Sequence, residues 1–137
     1  MTPATMTHLI RLAGGIHAAI IAANVPLPRR LEVRRNLAAT PAFIRQILCV
    51  HWIYIVLVLG MFTALCLGFA PELAGRSSLG RFLSAFMAGF WLLRIVLQVF
   101  YYDLAVRRAN RLLDASYLVA LFALTAIFGW AALKPAP

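Results

Sequence analysis

The most chemically informative residue of the sequence is Arg94, which interrupts an otherwise uncharged apolar segment at residues 82–102. A charged side chain near the middle of a lipid-spanning helix costs about 2.5–3.5 kcal/mol on insertion scales, so such residues usually face protein or water. A guanidinium group is satisfied best by paired hydrogen bonds to a carboxylate or a phosphate. We therefore predict that Arg94 points into a protein interior and not into lipid.

No acid lies inside an apolar segment to pair with Arg94. The four acids are in loops or at segment ends, at Glu32, Glu72, Asp103 and Asp114. Three kinds of partner stay open. Arg94 can bond to backbone carbonyls and polar neighbours, reach a lipid phosphate or the two aspartates near the membrane surface, or hold an anionic ligand.

Several polar side chains are predicted to lie at a depth close to that of Arg94. Gln98 is one helical turn away on the same face. Counting along the helix axes places the group within roughly 4–12 Å of one end of the helices. Its members are Asn24, His51, Tyr54, Gln98 and Tyr117. Together with Arg94 they form the candidate ligand-binding layer, and purely structural hydrogen bonding is the alternative.

The histidines and cysteines give little support to a metal or haem site. Axial counting places His17 about 15 Å and His51 about 6 Å from the same membrane face, which argues against joint ligation within one chain. Cys49 and Cys66 lie about 25 Å apart on one helix, too far for a disulfide. We therefore predict no cofactor and no metal, with haem ligation through a second chain left open and His17 most simply a hydrogen-bonded side chain inside the bundle.

Motifs of covalent catalysis are also missing from the sequence. There is no nucleophile elbow, no phosphate-binding glycine loop, and no H-x-x-x-H or H-E-x-x-H pair. The membrane-embedded acid on which small four-helix drug exporters depend is absent as well. The sequence does not favour an enzyme.

The composition indicates the kind of domain that positions Arg94. Of 137 residues, 64% are apolar and 12% charged, against about 45–50% and about 25% in soluble domains. Too few polar residues are present to cover a soluble domain, and a disordered chain would need low hydrophobicity. The composition predicts a single integral membrane domain.

The apolar runs predict an all-α membrane protein, a four-transmembrane-helix bundle with a short interfacial helix between helices 1 and 2. A spanning helix needs roughly 20 residues, and the continuous runs do not alternate as barrel strands do. The first run is short, and we interpret it as a retained helix, since cleavage as a signal peptide would place the next arginines outside. The predicted helices span about 12–28, 47–70, 82–102 and 112–133.

Basic residues indicate orientation and lipid contacts. Eight of them flank the first and third connections and four lie on the other side, which favours both termini outside under the positive-inside rule. With the arginine-rich, lysine-poor composition, this predicts a multi-pass protein of a bacterial-type cytoplasmic (inner) membrane. The candidates for contact with anionic lipid headgroups are Arg29, Arg30, Arg34 and Arg35. A solvated loop that only sets topology is the alternative.

The partners we predict are the lipid bilayer and its anionic lipids. Nucleic acid is not predicted, because the arginines lie at segment ends and not on one face. Small residues four apart allow backbones to approach closely, which leaves open a homo-oligomer or other membrane subunits. Such stripes occur at Gly14, Ala18 and Ala22, at Gly15, Ala19 and Ala23, and at Gly60, Ala64 and Gly68. We predict a helix contact at the last of them.

These features favour a small integral membrane protein that acts as a structural or binding subunit, alone or in a larger membrane assembly. One alternative is an oligomeric carrier or channel component in which Arg94 and the polar layer line a path for an anion or polar solute. A weaker alternative is a lipid- or quinone-handling enzyme in which Arg94 or His51 contacts a headgroup.

Overall fold

The computed structural model describes residues 2–26, 29, 32–102, 107–108 and 111–133. Its long helices are α1 (Pro3–Asn24), α3 (Ala42–Gly68), α5 (Ser78–Phe100) and α6 (Arg111–Leu133), and its short ones are α2 (Val33–Asn36) and α4 (Ala70–Ala74). The described residues contain no strand, and all four long helices are long and apolar enough to cross a membrane. The predicted all-α bundle of four spanning helices is confirmed.

Helix α1 lies nearer the N-terminus than predicted, over Pro3–Asn24 instead of 12–28. Thr2 caps it, since its side-chain oxygen accepts a hydrogen bond from the Thr5 amide at 3.2 Å, and Pro3 suits the first helical position. The predicted helix began at residue 12, directly after Arg11. The observed helix continues from there towards the N-terminus through Arg11 and polar residues such as Thr7 and His8. At 1.5 Å per residue, α1 is about 33 Å long and reaches across the hydrocarbon without residues 25–28.

Helices α3 and α5 also begin earlier than predicted, at Ala42 instead of 47 and at Ser78 instead of 82. The hydroxyl of Ser77 accepts a hydrogen bond from the Gly80 amide at 3.1 Å and so caps α5. In both helices the first turn is polar or mixed, so hydropathy alone places their start too late.

The long helices pack as two antiparallel pairs, α1 with α3 and α5 with α6, and α1 also contacts α4 and α6. The Arg81 side chain joins the start of α5 to the end of α6 by donating from Nε to the Ala132 carbonyl at 3.1 Å. Between the pairs lies an apolar core. Its largest buried side chains are Met6, Ile10, Phe62, Leu73, Met87, Trp91, Leu121, Leu124 and Phe128.

Gly14 is the point of closest approach between α1 and α3. A Cβ atom added there would lie 2.8 Å from Leu67 Cδ2 and 3.0 Å from Cys66 Cβ. The end of the exposed Leu67 side chain can shift, but Cys66 Cβ is fixed to the α3 backbone, so a side chain larger than glycine would press α1 and α3 apart. The small stripe that begins at Gly14 therefore includes a helix contact of the kind predicted.

The prediction of a helix contact at Gly60, Ala64 and Gly68 is wrong within the described chain. Added Cβ atoms at the two glycines meet nothing within 4 Å, and Ala64 is exposed. Helix α3 instead turns Leu59, Phe62 and Cys66 towards the core. The face of α3 that carries Phe62 and Cys66 can hold larger side chains because Gly14 of α1, opposite Cys66, has no side chain.

The N-terminal part of α3 packs against no other helix within the described chain. Gly14 lies beside Cys66, and the His17 and Phe62 ring centroids are 5.7 Å apart. In this antiparallel register the end of α1 at Asn24 lies opposite about residue 55 of α3. Residues 42–55 of α3 extend beyond it, and each of them is exposed.

Candidate functional site

Arg94 lies on α5 with its guanidinium group between two tyrosine rings. Its Cζ atom is 5.0 Å from the ring centroid of Tyr102 and 5.4 Å from that of Tyr117, within the range of cation–π attraction. Tyr102 follows α5 about two turns after Arg94, and Tyr117 belongs to α6. The arginine side chain is therefore directed along α5 towards its C-terminal end, as expected of a long side chain that seeks the membrane surface.

One terminal nitrogen of Arg94, Nη1, is buried and has no hydrogen-bond partner among the described residues. Among the described residues, the neutral hydroxyl of Ser84 is the other buried side-chain group without a hydrogen-bond partner. Aromatic faces attract a cation but accept no strong in-plane hydrogen bond, so the donors of the guanidinium group are not satisfied by the two tyrosines. Burying an unpaired donor costs about 1–3 kcal/mol, and more for a charged group.

Asp114 is engaged by two other side chains and does not pair with Arg94. Its Oδ1 accepts a hydrogen bond from Gln98 Nε2 at 2.6 Å, and its Oδ2 lies 3.0 Å from Arg107 Nη2. Arg107 Nε also donates to both carboxylate oxygens, at 3.2 and 3.1 Å. The acid lies in the first turn of α6, where negative charge is favoured. This cluster ties the end of α5 to the start of α6.

Beside this cluster is an open cleft of about 160 Å³ lined by Arg107, Arg108, Arg111 and Asp114. Its lining therefore contains three arginines and one aspartate, and the aspartate is paired with Arg107. Gln98 lies one turn beyond Arg94 on α5 and donates to Asp114 in the lining of the cleft, whereas Arg94 itself does not line it. The cleft is positively charged and suits an anion.

The structure divides the predicted polar layer. It brings Arg94 and Tyr117 together and places Gln98 one turn away. Asn24 instead donates from Nδ2 to the Ile20 carbonyl of its own helix at 2.8 Å. His51 and Tyr54 lie on the uncovered part of α3, where Tyr54 is 64% exposed and His51 Nδ1 is 2.9 Å from the Ile47 carbonyl. Axial depth, on which the predicted layer was based, does not determine which way a side chain points.

The basic connection between α1 and α3 is described only in part. Arg29 is exposed, and Arg35 forms an exposed ion pair with Glu32 at 3.1 Å. Arg30 and the side chain of Arg34 lie outside what the structure describes. Their contact with lipid headgroups stays a prediction.

His17 is completely buried at the centre of the bundle. Trp91 Nε1 donates a hydrogen bond to His17 Nε2 at 3.1 Å. Because an indole N–H can only donate, Nε2 is the acceptor and the ring proton lies on Nδ1, which is 2.7 Å from the Ala13 carbonyl. Both ring nitrogens are engaged within the chain, which confirms the structural interpretation of this residue.

Sequence reasoning missed the partners that bring these residues together. Neither Tyr102 nor Arg107 was predicted as a site residue. The available signals were the four-residue spacing of Arg94 and Gln98 and the position of Asp114 at a helix start. Neither signal reveals that Asp114 of α6 accepts a hydrogen bond from Gln98 of α5.

Four spanning helices around an apolar core, with an arginine held inside one end, define a small multi-pass integral membrane protein. Comparison of the chain with known protein families, with curated proteins and with solved structures gives no match. The function is therefore argued from the geometry of the site.

Proposed function

We propose that this chain is a membrane-embedded binding subunit that holds an anionic group at the end of α5 and the start of α6. The observation that carries the proposal is the buried Nη1 of Arg94, which has no hydrogen-bond partner among the described residues. A buried charged donor costs free energy unless an acceptor meets it. An anionic ligand would supply that acceptor.

The surrounding residues support anion binding at Arg94. The rings of Tyr102 and Tyr117 hold the guanidinium group from its sides without neutralising it. Asp114 is already engaged by Gln98 and Arg107, so no acid among the described residues pairs with Arg94. Arginine in such a setting binds carboxylate or phosphate through parallel N–H donors.

The geometry favours a binding subunit over a carrier or channel. A polar path within one chain needs its polar residues on one continuous surface, whereas His51 and Tyr54 are exposed on α3 and Arg94 contacts Tyr117 of α6. The same exposed part of α3, residues 42–55, supports a place in a larger membrane assembly, because it offers an apolar surface to another helix or to lipid.

We expect Arg94→Leu to remain folded and to lose stabilisation by anions. The probes are phosphatidylglycerol or phosphatidic acid in mixed micelles and inorganic phosphate, and the readout is thermal unfolding in detergent. A ligand at one hundred times its Kd stabilises by about 2.7 kcal/mol. Arg94→Lys should restore little, because an ammonium group lacks the planar fork of donors.

The matched control for this experiment is Arg76→Leu, which removes an exposed arginine before the start of α5, at the opposite end of that helix. It should respond to anions as the parent does. Equal stabilisation of the parent and of Arg94→Leu by every probe would overturn the proposed function.

Our proposed orientation places both termini outside and the end of α5 on the cytoplasmic side of a bacterial-type inner membrane. It is supported by the arginines that follow α5 and flank α2, which belong on the cytoplasmic side. In a background with Cys49→Ser and Cys66→Ala, a cysteine replacing Ser78 should react with an impermeant maleimide in intact cells. A cysteine replacing Asn36 should react only after lysis, and the reverse pattern would invert the bundle.

A further inference from the structure

From Arg94 to the first turn of α6, arginines outnumber acids. Residues 94–114 contain four arginines, at 94, 107, 108 and 111, and two aspartates, at 103 and 114, for a net charge of +2. Asp114 is engaged with Arg107. Arg108 and Arg111 are exposed in the same cleft and form no ion pair among the described residues. A dianion would balance this charge, whereas a monoanion would balance only half of it.

Resting on the proposed function, we infer that the bound group is a phosphate monoester carried by a lipid. A monoester carries about −1.5 to −2 charges at pH 7 and presents three acceptor oxygens. A phosphodiester headgroup carries a single charge. The three oxygens suit a cleft lined by Arg107, Arg108 and Arg111, because guanidinium groups bind phosphate through several donors at once. Arg94 lies one turn of α5 from Gln98, which bonds to Asp114 in the same lining.

The position of the site favours a lipid over a free phosphate. Tyr101 and Tyr102 directly follow the end of α5, and tyrosines are typical of the headgroup level. The cleft includes the start of α6. Next to it, Phe100 and Leu112 are each 83% exposed. These apolar side chains offer a surface for acyl chains at the same end, so a lipid gains apolar contact that inorganic phosphate lacks.

The volume of the cleft agrees with a small headgroup. Its 160 Å³ corresponds to about five water molecules at about 30 Å³ each. This is room for a phosphate with the first atoms of its ester.

Three probes separate charge from lipid character: phosphatidic acid, which is a lipid monoester, phosphatidylglycerol with the same acyl chains, which is a diester, and glycerol 3-phosphate, which is a soluble monoester. Native mass spectrometry of the full chain in detergent measures each Kd. We expect phosphatidic acid to bind at least about tenfold more tightly than either other probe, which corresponds to about 1.4 kcal/mol.

Variants of the two exposed arginines test the charge argument. Arg108→Gln with Arg111→Gln should reduce the preference for phosphatidic acid over phosphatidylglycerol to less than about threefold, since each charge-assisted hydrogen bond contributes about 1.5–3 kcal/mol. Arg108→Lys with Arg111→Lys keeps both charges and should retain a preference above that of the glutamine pair. A lysine pair that behaves like the glutamine pair would overturn the charge argument.

The outcomes distinguish this inference from the proposed function. Equal affinity of the parent for both lipids, with both lost in Arg94→Leu, would overturn the monoester inference and leave the anion-binding function standing. Binding of glycerol 3-phosphate as tight as that of phosphatidic acid would overturn the lipid part. Absence of any binding that depends on Arg94 would overturn the proposed function itself.

Discussion

Gly14→Leu is expected to remove most of the folded protein recovered in detergent. Even a single added Cβ would lie 2.8 Å from Leu67 Cδ2 and 3.0 Å from Cys66 Cβ, and a leucine adds three further carbons in the same gap. Overpacking of a well-packed interior costs about 1–3 kcal/mol, occasionally more. We expect the upper end of that range, because α1 contacts α3, α4 and α6 and its displacement disturbs all three contacts.

The neighbouring glycine provides the matched control. A Cβ atom added at Gly15 meets nothing within 4 Å, so Gly15→Leu should fold normally and gain a few tenths to about 1 kcal/mol from better helix propensity. Thermal unfolding followed by circular dichroism, together with size-exclusion elution, compares the two variants. Equal melting temperatures would mean that α1 does not pack on α3 through Gly14.

A second large effect is expected at the hydrogen bond between Trp91 and His17. Trp91→Phe leaves Nε2 of a fully buried histidine without its donor, and His17→Leu leaves a buried indole N–H without its acceptor. Each single change should lower the free energy of unfolding by about 1–3 kcal/mol, because an unpaired buried polar group bears its full desolvation cost.

The double variant makes this prediction specific to the hydrogen bond. When both partners are apolar no polar atom of the pair is left unsatisfied, so the two changes together should cost less than the sum of the single changes. Unfolding in denaturant in mixed micelles gives the four free energies of the cycle. Trp130→Phe, at a side chain that is 57% exposed, is the control and should change little. Strict additivity would show that the pair is not coupled.

The sequence by itself determined the class of protein and the number of spanning helices. These properties depend on composition and on the length of apolar runs, which are local quantities. It also identified Arg94, because one charge in a long apolar run is visible without any knowledge of packing. Helix starts were placed too late at Pro3, Ala42 and Ser78. Hydroxyl caps at Thr2 and Ser77 extend α1 and α5 into polar sequence that hydropathy excludes, whereas α3 begins earlier without a side-chain cap.

Only the tertiary structure decided which side chains meet. His17 and Trp91 bond across two helices, and Gln98 reaches Asp114 on a neighbouring one. Such contacts depend on the rotation of each helix about its axis, and this rotation follows from how all the interhelical side chains fit together. Spacing along one helix therefore predicted a shared face for Arg94 and Gln98, but it also predicted a contact at Gly60 that the packing of α1 against the opposite face of α3 rules out within the chain.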